Sequence, residues 1–265
     1  VSDEPRPHFL RHLNFEFELR HDEFTGRADV PPMLRAPGTD IPRAGMLATY
    51  ADHAIGFPAV ELLGAIAPTL DLSLHVFRLP TSPVVTMESH PLKAGRRVAV
   101  GEAWFTAEGE PDPFAVSVAT FMATTDPGDR NFRLPTCDEP PFAPHAPLDE
   151  PIEQRAGITE ITPGTVELAT HAHVSNGRGT IQGGMLALLV ERACDSALGD
   201  DGHHLVTGLD LRYLGAVRVG PARATATPLR SDEQGAHFWV EIVDAGNDDR
   251  LAVHALGTAR RLDTV

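Results

Sequence analysis

Along residues 14–19, Asn-Phe-Glu-Phe-Glu-Leu, polar and apolar side chains alternate with the period of a half-buried strand. A loop marked by Pro37, Gly38 and Pro42 follows. The period then lengthens. Leu47, Ala51, Ala54 and Ile55 fall at i, i+4, i+7 and i+8, a single buried stripe on a helix from Gly45 to Phe57, with Pro58 setting its limit. Four strand-like runs come next: Thr69–Leu79, Val84–Pro91, Arg96–Thr106 and Phe114–Ala123. The order then returns. Val166–Val174 reads as a strand, Asn176 to Gly183 as a Gly-rich loop, and Met185 to Leu198 as a helix stopped near Gly199. Four more strand-like runs close the chain: Val206–Tyr213, Ala222–Leu229, His237–Val243 and Leu251–Ala259. Each pass is read as two strands, one helix and four strands. One apolar helix beside a long antiparallel sheet predicts an α+β fold with the sheet wrapped on the helix.

The two passes also share residues. Residues 45–56 begin Gly-Met-Leu-Ala and carry Asp52; residues 184–195 begin Gly-Met-Leu-Ala and carry Glu191 at the equivalent point. The offset of 139 positions (45 to 184) persists without a gap to Leu70-Asp71-Leu72 and Leu209-Asp210-Leu211. Such a match predicts an internal repeat, with an N-terminal unit over 1–126 and a C-terminal unit over 152–265. Between them, 127–151 carries Pro127, Pro135, Pro140, Pro141, Pro144, Pro147 and Pro151. So many missing amide donors rule out a helix or central strand, and an extended linker is expected.

Composition narrows the partners. A formal charge of −15 over 265 residues argues against nucleic acid or an anionic membrane, since both would repel the chain. The only cysteines, Cys137 and Cys194, lie far apart and form no CxxC, so neither a disulfide framework nor a zinc knuckle is expected. Cys194 falls in an apolar helical stretch and reads as core. No signal-like segment or apolar run of spanning length stands out, which gives a cytoplasmic protein as the expectation. His171 and His173 share a strand face without the spacing of a metal site. All thirteen histidines are read as structural or exposed, His53 with most reserve because it adjoins Asp52. Trp104 and Trp239 read as packing residues.

The chain resembles the hotdog-fold acyl-CoA thioesterases of the phenylacetate-pathway and 4-hydroxybenzoyl-CoA type, in a tandem double-hotdog arrangement. Their segment runs Asn-x-x-Gly-x-x-His-Gly-Gly, then seven residues to an acid in the central helix. Here the second copy has Asn176-Gly177-Arg178-Gly179-Thr180-Ile181-Gln182-Gly183-Gly184 and then Glu191. The first has Pro37 through Gly45 and then Asp52. Leu70–Pro80 is similar to the family's third strand, and Lys93-Ala94-Gly95-Arg96-Arg97 to its basic strand start. Two departures stand out: the family's loop His is Gln182 in one copy and Arg43 in the other, and its Asn is kept as Asn176 but replaced by Pro37.

The resemblance implies acyl-thioester hydrolysis at sites shared between units. It joins Asn176, Gln182 and Gly183 with Asp52 and Thr69 in one site, and Pro37, Arg43 and Ala44 with Glu191 and Gly208 in the other. The chemistry is consistent with those residue types. A helix N-terminus presents unpaired amides, so the Gly183 N–H is an oxyanion donor, worth about 2.7–4 kcal/mol in the transition state. A carboxylate removes a proton from water or attacks directly. Pro37 lacks an amide side chain and Gly208 lacks a hydroxyl, so one competent site and one degenerate site are expected. Lys93, Arg96 and Arg97 are implied contacts for coenzyme A phosphates. No metal and no resident cofactor are expected, coenzyme A being part of the substrate. A homodimer of double hotdogs, or a higher homo-oligomer, is implied. Two rival readings stand beside this one: a non-catalytic acyl-CoA binder, and an enoyl-CoA hydratase or dehydratase, whose loop His and Asp-x-Asn-Pro-x-His pattern are absent.

Overall fold

The computed structural model describes residues 8–20, 22–125, 133–139, 142, 147–199 and 203–262. A hairpin of β1 (Phe15–Arg20) and β2 (Glu23–Asp29) leads to α1 (Ala44–Leu63) and then β3 (Thr69–Val76), β4 (Val84–Ala94), β5 (Val98–Ala107) and β6 (Ala115–Met122). A short helix α2 (Ile152–Ala156) opens the second half. It is followed by β7 (Thr159–Thr162), β8 (Thr165–Leu168), α3 (Gly183–Leu198), β9 (His204–Tyr213), β10 (Ala222–Asp232), β11 (Gly235–Asp244) and β12 (Arg250–Arg261). The strands form one sheet in the order β1-β2-β4-β5-β6-β3-β9-β12-β11-β10-β8-β7. Strands from the two halves meet only at the centre, where β3 pairs antiparallel with β9. There Leu72 faces Leu211, and Asp71–Arg212 and Ser73–Asp210 flank that pair. Leu72 and Leu211 are 139 positions apart, as are Asp71 and Asp210, so the pairing maps onto itself under the offset.

Both long helices lie on one face of the sheet and against each other. That second contact explains why α1 carries more than one buried stripe: Ala44 through Ala51 are all buried, because one side meets the sheet and the other meets α3. The approach is close. A Cβ on Gly45 would lie 2.5 Å from Leu188 Cα, and one on Gly184 would lie 2.1 Å from Thr49 Oγ1. Glycine is required at both points. The contacts are again related by the offset, 45 with 184 and 49 with 188.

Two expectations need correction. Pro58 does not end α1, which continues to Leu63. A proline removes the amide that would bond the carbonyl four residues back. Here that carbonyl belongs to Ala54, and the buried Ser89 hydroxyl of β4 donates to it at 2.6 Å. A neighbouring strand thus satisfies the acceptor and the helix runs on. The strand expected over Val166–Val174 stops at Leu168; residues 172–174 form a turn, and the His171 and His173 rings stack beside it with centroids 6.1 Å apart. Trp104 and Trp239 sit on the outer sheet face, 37% and 41% exposed. Trp239 packs edge-on against His254.

Of the linker, 127–132, 140–141 and 143–146, with Pro127, Pro140, Pro141 and Pro144, lie outside the described residues. Phe142 is buried edge-on against His53, Phe57 and Phe17. Cys194 is buried on α3. Among the described residues no helix is long and apolar enough to cross a membrane, and no group of three or more His, Cys, Asp or Glu is placed to hold a metal ion.

The substitution of Ser89 to Ala strands the Ala54 carbonyl and lowers the unfolding free energy by about 1–3 kcal/mol. In a Pro58→Ala background the restored amide takes over, and chemical denaturation of the four-member cycle shows a smaller loss.

Candidate active site

Asp52 projects from the middle of α1 and accepts a hydrogen bond from Thr69 Oγ1 at 2.6 Å. A β-bulge aims that hydroxyl. Against β6, Thr69 faces Phe121 and Asp71 faces the next residue, Thr120, which leaves Leu70 as the extra position. Phe121 turns inward, close enough to α1 to meet a Cβ on Gly56 at 3.0 Å, so the bulge sends Thr69 to the helix side. Burial raises the Asp52 carboxyl above the usual range, opposed by His53 and by the Thr69 hydrogen bond. Burial pulls the His53 imidazole below its usual value against the Asp52 charge, and its Nδ1–H donates to the Thr49 carbonyl at 2.7 Å.

The N-terminus of α3 supplies the donors. Gln182 caps the helix, with Oε1 accepting from the Gly184 amide. With the oxygen fixed in that way, Nε2 is the donor end of the side chain. The Gly183 N–H lies in the unpaired first turn and has no protein acceptor among the described residues. Tyr213 joins the two sides. Its hydroxyl donates to the Gly183 carbonyl at 3.1 Å, and burial together with the Asp52 charge pushes its phenol well above its ordinary value. Asn176 is engaged within its own loop. Its Nδ2 donates to Thr180 Oγ1 at 2.8 Å and its Oδ1 accepts from the Arg178 amide, so it shapes the loop ahead of Gln182.

The equivalent cleft is differently filled. Arg43, at the position offset from Gln182, is buried and ion-paired with Glu153, Glu191 and Asp195. Burial works against its charge, but the three carboxylates hold the guanidinium protonated. Glu191 is occupied on both oxygens, by Arg43 Nη1 at 3.3 Å and by the Gly45 amide at 2.7 Å. Burial lifts it to about 7 against those partners, with Asp195 adding to the rise. A cavity of about 280 Å³ opens beside this cluster, lined among others by Pro37, Arg43, Glu191 and Asp195. Gly208 stands where the other half has Thr69, and on β9 it pairs with His75.

The structure is similar over nearly its whole length to several solved proteins. The tesB protein of Mycobacterium avium subs paratuberculosis matches with a TM-score of 0.62 at 14% identity, covering 96% of this chain and 98% of that one. A conserved protein from Alicyclobacillus acidocaldarius described as having a hot dog fold matches with a TM-score of 0.56 at 12% identity, covering 98% and 100%. The chain has the hotdog fold. The 12:0-ACP thioesterase of Umbellularia californica is also similar, with a TM-score of 0.61 at 11% identity over 93% and 100%. No family model matches the sequence, and no curated protein does.

Within the hotdog sheet, Lys93, Arg96 and Arg97 are exposed at the β4–β5 turn. The register puts this turn at the same end of the sheet as Thr69. Val98 pairs with Met122, Ala123 bonds the Arg97 carbonyl, and the neighbouring Phe121 pairs with Thr69. Two strand spacings, about 10 Å, therefore separate the turn from the bulge.

Glu191 is protonated more readily in the folded chain than at its ordinary 4.5, so folding stability falls as pH rises from there through about 7. Arg43→Met removes the counter-charge. It should lower the unfolding free energy by about 3–5 kcal/mol at pH 8, and the deficit should shrink on acidification as the carboxylates take up protons. Denaturation curves across pH measure both effects.

Proposed function

We propose that the chain is an acyl-thioester hydrolase with one competent cleft, built from Asp52 and Thr69 of the first half and Gln182 and Gly183 of the second. The observation that carries this reading is the contrast in occupancy. Asp52 is held by a single hydroxyl and the Gly183 N–H is unclaimed among the described residues, whereas Glu191 is saturated by Arg43 and the Gly45 amide. The similarity to a tesB protein and to an acyl-ACP thioesterase supports the same chemistry.

In this reading the thioester carbonyl oxygen rests on the Gly183 N–H and Gln182 Nε2. Asp52 takes a proton from water as its oxygen bonds to the carbonyl carbon. The oxyanion collapses, the C–S bond breaks, and the protonated Asp52 returns its proton to the leaving thiolate. Removing a donor of this kind costs about 10²–10³ in kcat. The upward shift of Asp52 favours its action as a base on water, because an effective base has its pKa nearer the working pH.

The substrate is an acyl-CoA, or a thioester on an acyl carrier. Lys93, Arg96 and Arg97 lie at the Asp52 end of the sheet, where coenzyme A phosphates would meet positive charge. The two halves, 1–126 and 152–265, are read as a tandem repeat of hotdog units joined by 127–151. The matching register at Leu72–Leu211 and the matched glycines Gly45 and Gly184 support this. A cytoplasmic homo-oligomer of double hotdogs completes the reading.

Thiol release from a panel of acyl-CoA esters tests it. Asp52→Asn should lower kcat by about 10²–10⁴-fold, while Glu191→Gln leaves turnover near the parent value. The reverse pattern refutes the assignment, and a chain that binds CoA esters without releasing thiol is a binder. The acid limb of kcat/KM should lie above an ordinary aspartate. Because the Thr69 hydrogen bond favours the ionised carboxylate, Thr69→Ala should move that limb to higher pH.

A further inference from the structure

The peptide between Gly183 and Gly184 is gripped at both ends. Tyr213 donates to its carbonyl at 3.1 Å, and the Gln182 side chain accepts from its N–H. The phenol ring also lies over Gly183, where an added Cβ would meet Tyr213 Cζ and Oη at 3.5 Å. Tyr213 reaches this place because it follows Leu209 and Leu211 on the inward face of β9, both fully buried. The grip exists in one cleft only. The position offset from Tyr213 is Leu74, a buried side chain with no hydroxyl, and there the helix N-terminus is tied by Glu191 instead.

We propose that Tyr213 is a positioning residue for the hydrolysis described above. It holds the first turn of α3 so that the Gly183 N–H and Gln182 Nε2 stay aimed at the substrate carbonyl. This rests on the proposed reaction but adds a residue to it. The Tyr213 proton is committed to the Gly183 carbonyl, and the phenol stays protonated over the working pH range, so it acts as a fixed donor and exchanges no proton with substrate. An interaction that serves the transition state more than substrate binding appears in kcat and leaves KM in place.

Tyr213→Phe keeps the ring and removes the hydroxyl. Its kcat for acyl-CoA hydrolysis should fall about tenfold, the scale of one lost hydrogen bond, with KM and the thermal midpoint close to the parent. Tyr213→Leu, which places there the side chain found at position 74, should fall further. An unchanged kcat in Tyr213→Phe, or a change confined to KM, overturns the proposal. Hydrogen exchange of the Gly184 amide, which is bonded to the Gln182 side chain, reads the same grip without turnover. It should quicken in Tyr213→Phe, with the central residues of α3 unaffected; unchanged exchange also overturns it. If the parent releases no thiol, the hydrolase reading fails on its own, and the exchange measurement still decides whether Tyr213 holds the turn.

Discussion

The arrangement depends on how closely α1 and α3 approach. Only glycine fits at positions 45 and 184, because a Cβ at either would overlap the facing helix. That contact sets the first turn of each helix against the middle of the other. In one direction the geometry is on display: the Gly45 amide reaches the Glu191 carboxylate directly. A helix N-terminus is a natural partner for a carboxylate, and the offset relates the Gly45–Glu191 contact to the positions of Gly184 and Asp52.

The two clefts differ through a few side chains. Glu191 is one methylene longer than Asp52, and it spans the gap to the opposite helix. The shorter Asp52 turns to Thr69, which a bulge at Leu70 brings inward. Gln182 occupies its own helix cap, whereas Arg43 at the offset position runs into three carboxylates. A buried arginine balanced in this way contributes to folding only while all its partners remain, and losing one leaves charge uncompensated. One cleft has become an internal ion-pair cluster. On the other side Asp52 is held by Thr69 alone, and Tyr213 holds the Gly183 carbonyl.

Much of the fold was legible in the residues. The eight strand-like runs after the helices each met a strand, since period-two patterns over a one-sided core are strongly constrained. Pro58 misled because its consequence is local but its remedy, Ser89, lies on another strand. His171 and His173 misled because alternation continued past the last paired residue, Leu168. The missed β2 carries Gly26 and a charged outer face, which dilute its pattern. At the site, Asp52, Thr69, Gln182 and Gly183 came from the resemblance and the offset. Asn176 comes from the same source, and its Nδ2 and Oδ1 bond within their own loop. Tyr213 went unnoticed, although a signal existed: it extends the inward series of Leu209 and Leu211 with a side chain bearing a hydroxyl, where the other half has only Leu74. The Arg43 cluster could not be read, because Glu153 and Asp195 meet Arg43 only in three dimensions.

The central claim is that one chain holds two related clefts and that only one of them receives substrate. Calorimetric titration with an unreactive thioether analogue of an acyl-CoA measures this directly. The account predicts one analogue bound per chain, with binding retained in Glu191→Gln and weakened in a variant carrying Ala at Lys93, Arg96 and Arg97. Two equivalent analogues per chain, or one whose binding depends on Arg43 and Glu191, would contradict it.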